Sequence, residues 1–169
     1  MKVETSIYND IVEIFRLYDL ATNYQRIIFP KNTWPKFGQL LIETEIQEKR
    51  QFKIVIENQI ACVWAITFTD PQIWEVRNID PSIYIHRIAT NPDFRGRNFV
   101  AEIVNWARGY AALHKKNFIR LDTCGNNKKL IRHYTLCGFD FLGMVQLQNA
   151  DDLPIHYHNV EVCLFQISL

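Results

Sequence analysis

Between Ile83 and Tyr110 the chain reads IYIHRIATNPDFRGRNFVAEIVNWARGY, and within this stretch the spacing of apolar residues changes from two to between three and four. Ile83, Tyr84, Ile85 and Ile88 are β-formers in a run that ends near Thr90, which predicts a strand. Phe99, Val100, Ile103, Val104, Trp106, Ala107, Tyr110 and Ala111 fall three and four apart, which predicts a helix with one broad apolar stripe. A strand feeding directly into a helix needs a parallel neighbour and a second layer to cover it. The stretch therefore commits the chain to a sheet packed with helices.

The connection is Asn91-Pro92-Asp93-Phe94-Arg95-Gly96-Arg97-Asn98. A helix start carries N–H groups without intrahelical partners and the positive end of the helix dipole, so phosphate binds there readily. Gly96 permits close backbone approach or positive φ, and Arg95 and Arg97 supply guanidinium forks. Asn98 tolerates left-handed backbone, whereas Val100 belongs in ordinary helical geometry. The sequence contains neither GxxxxGK[ST] nor GxGxxG, so this anion site is not a P-loop or Rossmann turn.

The remaining pattern is one of alternating element types. Val3–Tyr8 is a weak opening strand, and a helix follows Asn9 and ends near Gln25. A second helix follows Thr33 or Pro35 and runs toward Glu48-Lys49-Arg50. Phe52–Glu57 and Ile60–Phe68 form a hairpin around Asn58-Gln59. Asp70-Pro71 breaks its second strand, Ile73–Val76 is a short extension, and Asn78–Ser82 is a loop. After the central unit come a strand over Asn117–Thr123 and a short helix bearing Leu130, Ile131, Tyr134 and Cys137, with Gly138 as its left-handed cap. Phe139–Gln148 and Glu161–Leu169 close the chain as two strands. No repeat or low-complexity linker appears, and 169 residues suit one domain spanning the whole length.

Nearly half of the residues are apolar and the net charge is +1, so no overall field draws the protein to nucleic acid. No apolar run approaches the ~20 residues of a membrane span. Cys62, Cys124, Cys137 and Cys163 form no CxxC pair, and no signal peptide precedes the first helix. They read as reduced thiols of a cytoplasmic protein.

The loop from Pro92 to Val100 resembles the acyl-CoA pyrophosphate loop of the GCN5-related N-acetyltransferases, the GNAT family, whose pattern is Pro, two residues, then Arg-Gly-x-Gly-x-Gly/Ala. Asn98 and Val100 stand at two of its glycine positions. The family's closing motif, Asn-x-x-Ala-x-x-Leu-Tyr-x-x-x-Gly-Phe, is matched by Asn127, Tyr134, Gly138 and Phe139 in register, with Leu130 and His133 replacing Ala and Leu. The order of elements also resembles that fold. The resemblance implies an α/β (α+β) domain with a mixed central sheet, a splay between its fourth and fifth strands, and helices on both faces.

It further implies direct transfer of acetyl from acetyl-CoA to an amine of a small molecule or peptide. The alternatives are a non-catalytic acyl-CoA-binding module and transfer of another acyl group. Acetyl-CoA would lie on Ile88, Ala89 and Thr90 of the strand, on Arg95, Gly96, Arg97, Asn98, Phe99 and Val100 of the loop, and near Asn127. Tyr134 is the implied general acid. For the base, Asp122 occupies the position of a glutamate in ribosomal-protein N-terminal acetyltransferases, although strand alternation leaves it open to solvent or to an ion pair with Arg120 or Lys128. His86 is the rival, on a face shared with Tyr84, Ile88 and Thr90, its ordinary pKa suiting proton uptake. Glu75 and ordered water remain open.

His156, His158 and Cys163 match no closed zinc site, so no metal is expected. Lys128 and Lys129 read as solvated. The acceptor would be held by Ile27–Gln39, Thr69–Ser82 and Asn149–Asn159, and the protein is expected to be a monomer or a homodimer joined through the closing hairpin.

Overall fold

The computed structural model describes residues 1–30, 33–147, 153, 155–158 and 161–169. Its strands are β1 (Lys2–Thr5), β2 (Gln51–Ile56), β3 (Gln59–Thr67), β4 (Ser82–Thr90), β5 (Phe118–Cys124), β6 (Asp140–Gln146) and β7 (Glu161–Ser168). Its helices are α1 (Ile11–Ile28), α2 (Gln39–Gln47), α3 (Pro71–Trp74), α4 (Phe99–Leu113) and α5 (Lys128–Leu136). The strands form one mixed sheet in the order β1-β2-β3-β4-β5-β7-β6.

β4 pairs with β5 in parallel only through Ser82, Ile83 and Tyr84, opposite Phe118, Ile119 and Arg120. β4 runs on to Thr90 without extending that ladder. β5 instead pairs along its whole length with β7, from Phe118↔Ser168 to Cys124↔Val162. This is the expected parting of the fourth and fifth strands, written in the register.

Two compact units make up the chain, Met1–Ile66 with His86–Phe99, and Thr67–Ile85 with Val100–Leu169. In the first, Ile14, Leu17 and Tyr18 of α1 and Ile42 and Ile46 of α2 pack with Val63 and Ala89 of the sheet. The β2–β3 hairpin turns through Glu57 and Asn58, both with positive φ, one residue earlier than the sequence predicts. That double left-handed turn matches the twist of the strands it joins.

In the second unit, β7 is covered on both faces, as alternating side chains require. Val162 and Leu164 pack with Ile73 and Trp74 of α3, and Phe165 meets Tyr134 of α5 at 5.2 Å between ring centroids. Gly138 takes φ +97°, and Phe139 N–H donates to the Tyr134 carbonyl, closing α5 as expected.

Three local expectations are corrected. α1 continues to Ile28, and a 3-10 turn at Tyr8–Asp10 precedes it. α2 begins at Gln39 because the segment before it is held by side chains: Trp34 and Phe37 pack edge-on against Tyr18 at 6.0 and 5.2 Å, and Trp34 N–H donates to Gln25. Pro71–Ile79 is helical, not extended, since Pro71 occupies the first helical position, where its missing N–H costs nothing.

Candidate active site

The loop that leads into α4 is built from short-range bonds in the first unit. Asn91 is buried, accepts from Asp93 N–H at 3.2 Å and donates its side-chain amide to the Ile60 carbonyl at 3.2 Å. Its backbone N–H donates to the Ala61 carbonyl, so the loop is anchored to β3 at its base. Gly96 at φ +83° and Asn98 at φ +49° are both left-handed, as read from the sequence. Two such residues around Arg97 turn the chain just before the first turn of α4.

Arg95, Gly96, Arg97 and Asn98 are exposed, while Phe99 and Val100 are buried as the first residues of α4. The Arg95 guanidinium lies over the ring of Tyr24 at 5.0 Å and that of Arg97 over Phe94 at 5.5 Å. Both cations are thereby held near the loop by contacts worth about 0.5–1 kcal/mol each at exposed sites.

On β4, Ala89 is buried in the core of the first unit, and Ile88 and Thr90 are half-buried. Arg87 has φ +53° in the middle of the strand. A left-handed residue breaks the period of two, so the expected common face for His86, Ile88 and Thr90 does not follow. What holds Arg87 is its side chain. It is ion-paired with the buried Glu45 of α2, stacks 5.2 Å from Phe37, and its Nε donates to the Tyr18 hydroxyl at 3.5 Å. Burial lowers the His86 imidazole to about 3, with the charges of Arg87 and Arg50 adding to the effect. His86 is neutral at physiological pH and holds a proton weakly.

In the second unit, the ladder pairs Asp122 with Leu164, which places both side chains on one face of β5 and β7. There Asp122 Oδ2 accepts a hydrogen bond from the Tyr157 hydroxyl at 2.8 Å. Burial raises the Asp122 carboxyl to about 6, with the Tyr157 bond pulling it back. An Asp70 oxygen lies within 4.8 Å of one of Asp122, and burial, followed by the Asp122 charge, raises Asp70 to about 7.

The contemplated pair between Asp122 and Arg120 does not form. Arg120, 1% exposed, is turned to Asp80 at 2.6 Å, Gln166 at 2.8 Å and the Arg77 carbonyl at 2.5 Å, sandwiched between the rings of Trp74 and Phe118.

Tyr134 is on the opposite face of this sheet, buried, with its ring against Phe139 at 5.9 Å and Phe165 at 5.2 Å. The candidate acid and the candidate base thus flank β5 and β7 from two sides. Asn127 is the N-cap of α5, its side-chain oxygen accepting from Leu130 N–H at 3.1 Å. Lys128 and Lys129 are exposed on the first turn of α5, and Glu75 is exposed in the 3-10 turn after α3. His156 is half-buried and lowered to about 4 by burial, and a ring nitrogen of His158 bonds the Leu153 carbonyl at 2.9 Å. Of the expected acceptor segments, Lys31, Asn32 and much of Asn149–Asn159 lie outside the described residues.

A model of the acetyltransferase (GNAT) family matches residues 14–139, most of the chain and both motifs. The chain belongs to that family. The N-acetyltransferase YesJ of Bacillus subtilis (strain 168) is 31% identical over 74 residues, which is 44% of this chain and 41% of that protein. The aligned chain therefore spans less than half of this curated relative.

Among solved structures, a GNAT acetyltransferase from Listeria monocytogenes 4b F2365 superposes with a TM-score of 0.76 at 21% identity, covering 99% of this chain and 94% of that one. A ribosomal-protein-alanine N-acetyltransferase from Brucella melitensis gives 0.72 at 12% identity over the whole of both chains. Identities this low establish a shared GNAT fold and nothing about substrate. Among the described residues no helix is long and apolar enough to cross a membrane.

Two residues at this site escape a sequence reading. Tyr157 lies between two histidines that draw attention to themselves, and Asp70 precedes a proline and so reads as a strand breaker. Their only signal is proximity in space to Asp122, 35 positions from Tyr157.

Proposed function

We propose that this GNAT protein is an N-acetyltransferase that moves acetyl from acetyl-CoA directly to a primary amine of a small molecule or peptide, within a ternary complex, with residues 1–169 acting as one catalytic domain. The observation that carries the proposal is the left-handed double turn at Gly96 and Asn98 before α4, flanked by two parked arginines. Such a loop suits a pyrophosphate. In the proposal its amides from Arg95 to Val100 hold the nucleotide end, and the backbone of Ile88, Ala89 and Thr90 holds the pantetheine arm.

The acceptor reaches the enzyme as an ammonium and must lose a proton before its nitrogen can attack the thioester carbonyl. Asp122, at about 6, is the better base, because His86, at about 3, binds protons too weakly near neutrality. Attack forms the C–N bond. As the tetrahedral intermediate collapses, the nitrogen loses its second proton to solvent and the C–S bond breaks; the Tyr134 hydroxyl gives its proton to the departing thiolate and is reprotonated from solvent.

The deciding experiment is release of the CoA thiol from acetyl-CoA across a panel of primary amines, polyamines and short peptides, with propionyl-CoA run in parallel. Amine-dependent release is the expected result. Tight acetyl-CoA binding with no release for any amine makes the protein a non-catalytic acyl-CoA-binding module, and faster release from propionyl-CoA replaces acetyl with a larger group.

A further inference from the structure

Tyr157 bears on the state of the base, and its part in the reaction rests on Asp122 having that role. Asp122 stands on a face of β5 where the strand's own cation is already engaged: Arg120, two residues away on the same face, is committed to Asp80, Gln166 and the Arg77 carbonyl. The groups that face Asp122 within this unit are Asp70, from the segment before α3, Cys124, on its own strand, and Tyr157, from the 3-10 turn at Ile155–Tyr157. The Asp122 charge raises both Asp70 and Cys124, and none of the three supplies a cation. Tyr157 donates a side-chain hydrogen bond to the carboxylate.

The donor is well seated. The Tyr157 ring packs against the cluster formed by Ile73, Trp74, Leu147, Val162 and Leu164, and Leu164 is the ladder partner of Asp122 itself. A phenol held by its ring in a packed core has little rotameric freedom, so its hydroxyl is a fixed point. Burial and then the Asp122 charge push the Tyr157 phenol well above its ordinary value, which keeps it a donor throughout the working range.

We propose that Tyr157 is a positioning residue for acetyl transfer, its hydroxyl pinning Oδ2 of Asp122 so that Oδ1 collects the proton released by the acceptor ammonium. A carboxylate free to rotate presents either oxygen in a range of directions, whereas one tied at Oδ2 presents a single lone-pair set, and such orientation is a large part of general-base efficiency. The bond also favours the charged form of the carboxylate against burial, so the same hydroxyl sets the pH at which the base becomes available.

The test uses the full chain with 13C-labelled aspartate carboxyls, the Asp122 resonance being identified by its loss in Asp122→Asn. Tyr157→Phe keeps the ring in its seat and removes the donor. The Asp122 titration then moves up by about half a pH unit or more, roughly threefold in proton affinity, and the acid limb of kcat/KM for CoA release with the fastest amine of the screen moves with it. Uniform replacement of tyrosine by 3-fluorotyrosine, a stronger donor, moves the same resonance down and does not depend on the variant folding.

An Asp122 carboxyl that titrates at the same pH in wild type, Tyr157→Phe and the fluorinated protein overturns the proposal. If the resonance moves but the acid limb survives in Asp122→Asn, then Asp122 is not the base. That second result removes the base assignment, and with it the positioning role, while leaving the hydrogen bond as structure.

Discussion

Tyr134 carries two loads that one substitution separates. Its ring fills space between Phe139 and Phe165, and its hydroxyl is the proposed proton donor to the thiolate. Tyr134→Phe preserves the first and deletes the second. Turnover is expected to fall at least about tenfold, with the dissociation constant for acetyl-CoA within about twofold of wild type and the melting temperature unchanged. Single-turnover release of CoA, alongside equilibrium binding of acetyl-CoA, measures both. A rate equal to wild type would return Tyr134 to the core as a packing residue. Asp122 differs in how it can be found: the phenol is recognisable from its register with Gly138 and Phe139, while the carboxylate's role depends on Tyr157 and Asp70, which no local pattern ties to it.

At the level of the element, the loop before α4 is where backbone conformation and ligand binding meet. Asn98 is left-handed where the family pattern has glycine, and Asn bears that conformation at low cost because its short amide bonds locally. Asn98→Gly is expected to leave the KM for acetyl-CoA within about twofold of wild type. Asn98→Val forces a β-branched side chain into a region it enters at a cost of about 1–2 kcal/mol, so KM for acetyl-CoA rises about tenfold while kcat at saturation changes little. Equal KM values for the two variants would mean that the left-handed turn does not position the pyrophosphate amides.

Elements of this kind were legible because they rest on local rules: the change of apolar spacing across Asn91–Asn98, the Pro and Gly punctuation, the Gly138 cap. What stayed hidden rests on tertiary contact. α2 starts at Gln39 because two aromatic rings reach Tyr18, α3 exists where Ile73–Val76 suggested a short extension, and Arg87 turns left-handed because an ion pair with Glu45 and a stack on Phe37 hold it there. A sequence carries none of those partners in its spacing.

For the molecule as a whole, the buried ionisable groups set opposite slopes on stability against pH. Asp122 rises from 3.8 to about 6 and Asp70 to about 7 on folding, so the folded protein binds more protons than the unfolded chain between those values. Their contribution is fully present below about pH 4 and is lost as pH rises through 6 to 7. His86 moves the other way, from 6.5 to about 3, and His156 to about 4. Their neutral forms are favoured by folding, so stability is intact above pH 6.5 and is lost as pH falls toward 3.

Each tenfold change in proton affinity is worth about 1.4 kcal/mol, which makes both effects visible in a urea midpoint. Relative to wild type, Asp122→Asn is expected to gain stability at pH 8, by on the order of 2 kcal/mol, and to gain none at pH 3.5. His86→Gln gains below pH 5 and is neutral at pH 8. Because the two groups titrate in opposite senses, the difference curves must diverge from one another across pH 4 to 7. Curves that run parallel for the two variants would mean that neither side chain changes its proton affinity on folding, and Asp122 would then lack the near-neutral proton affinity that the proposed base requires.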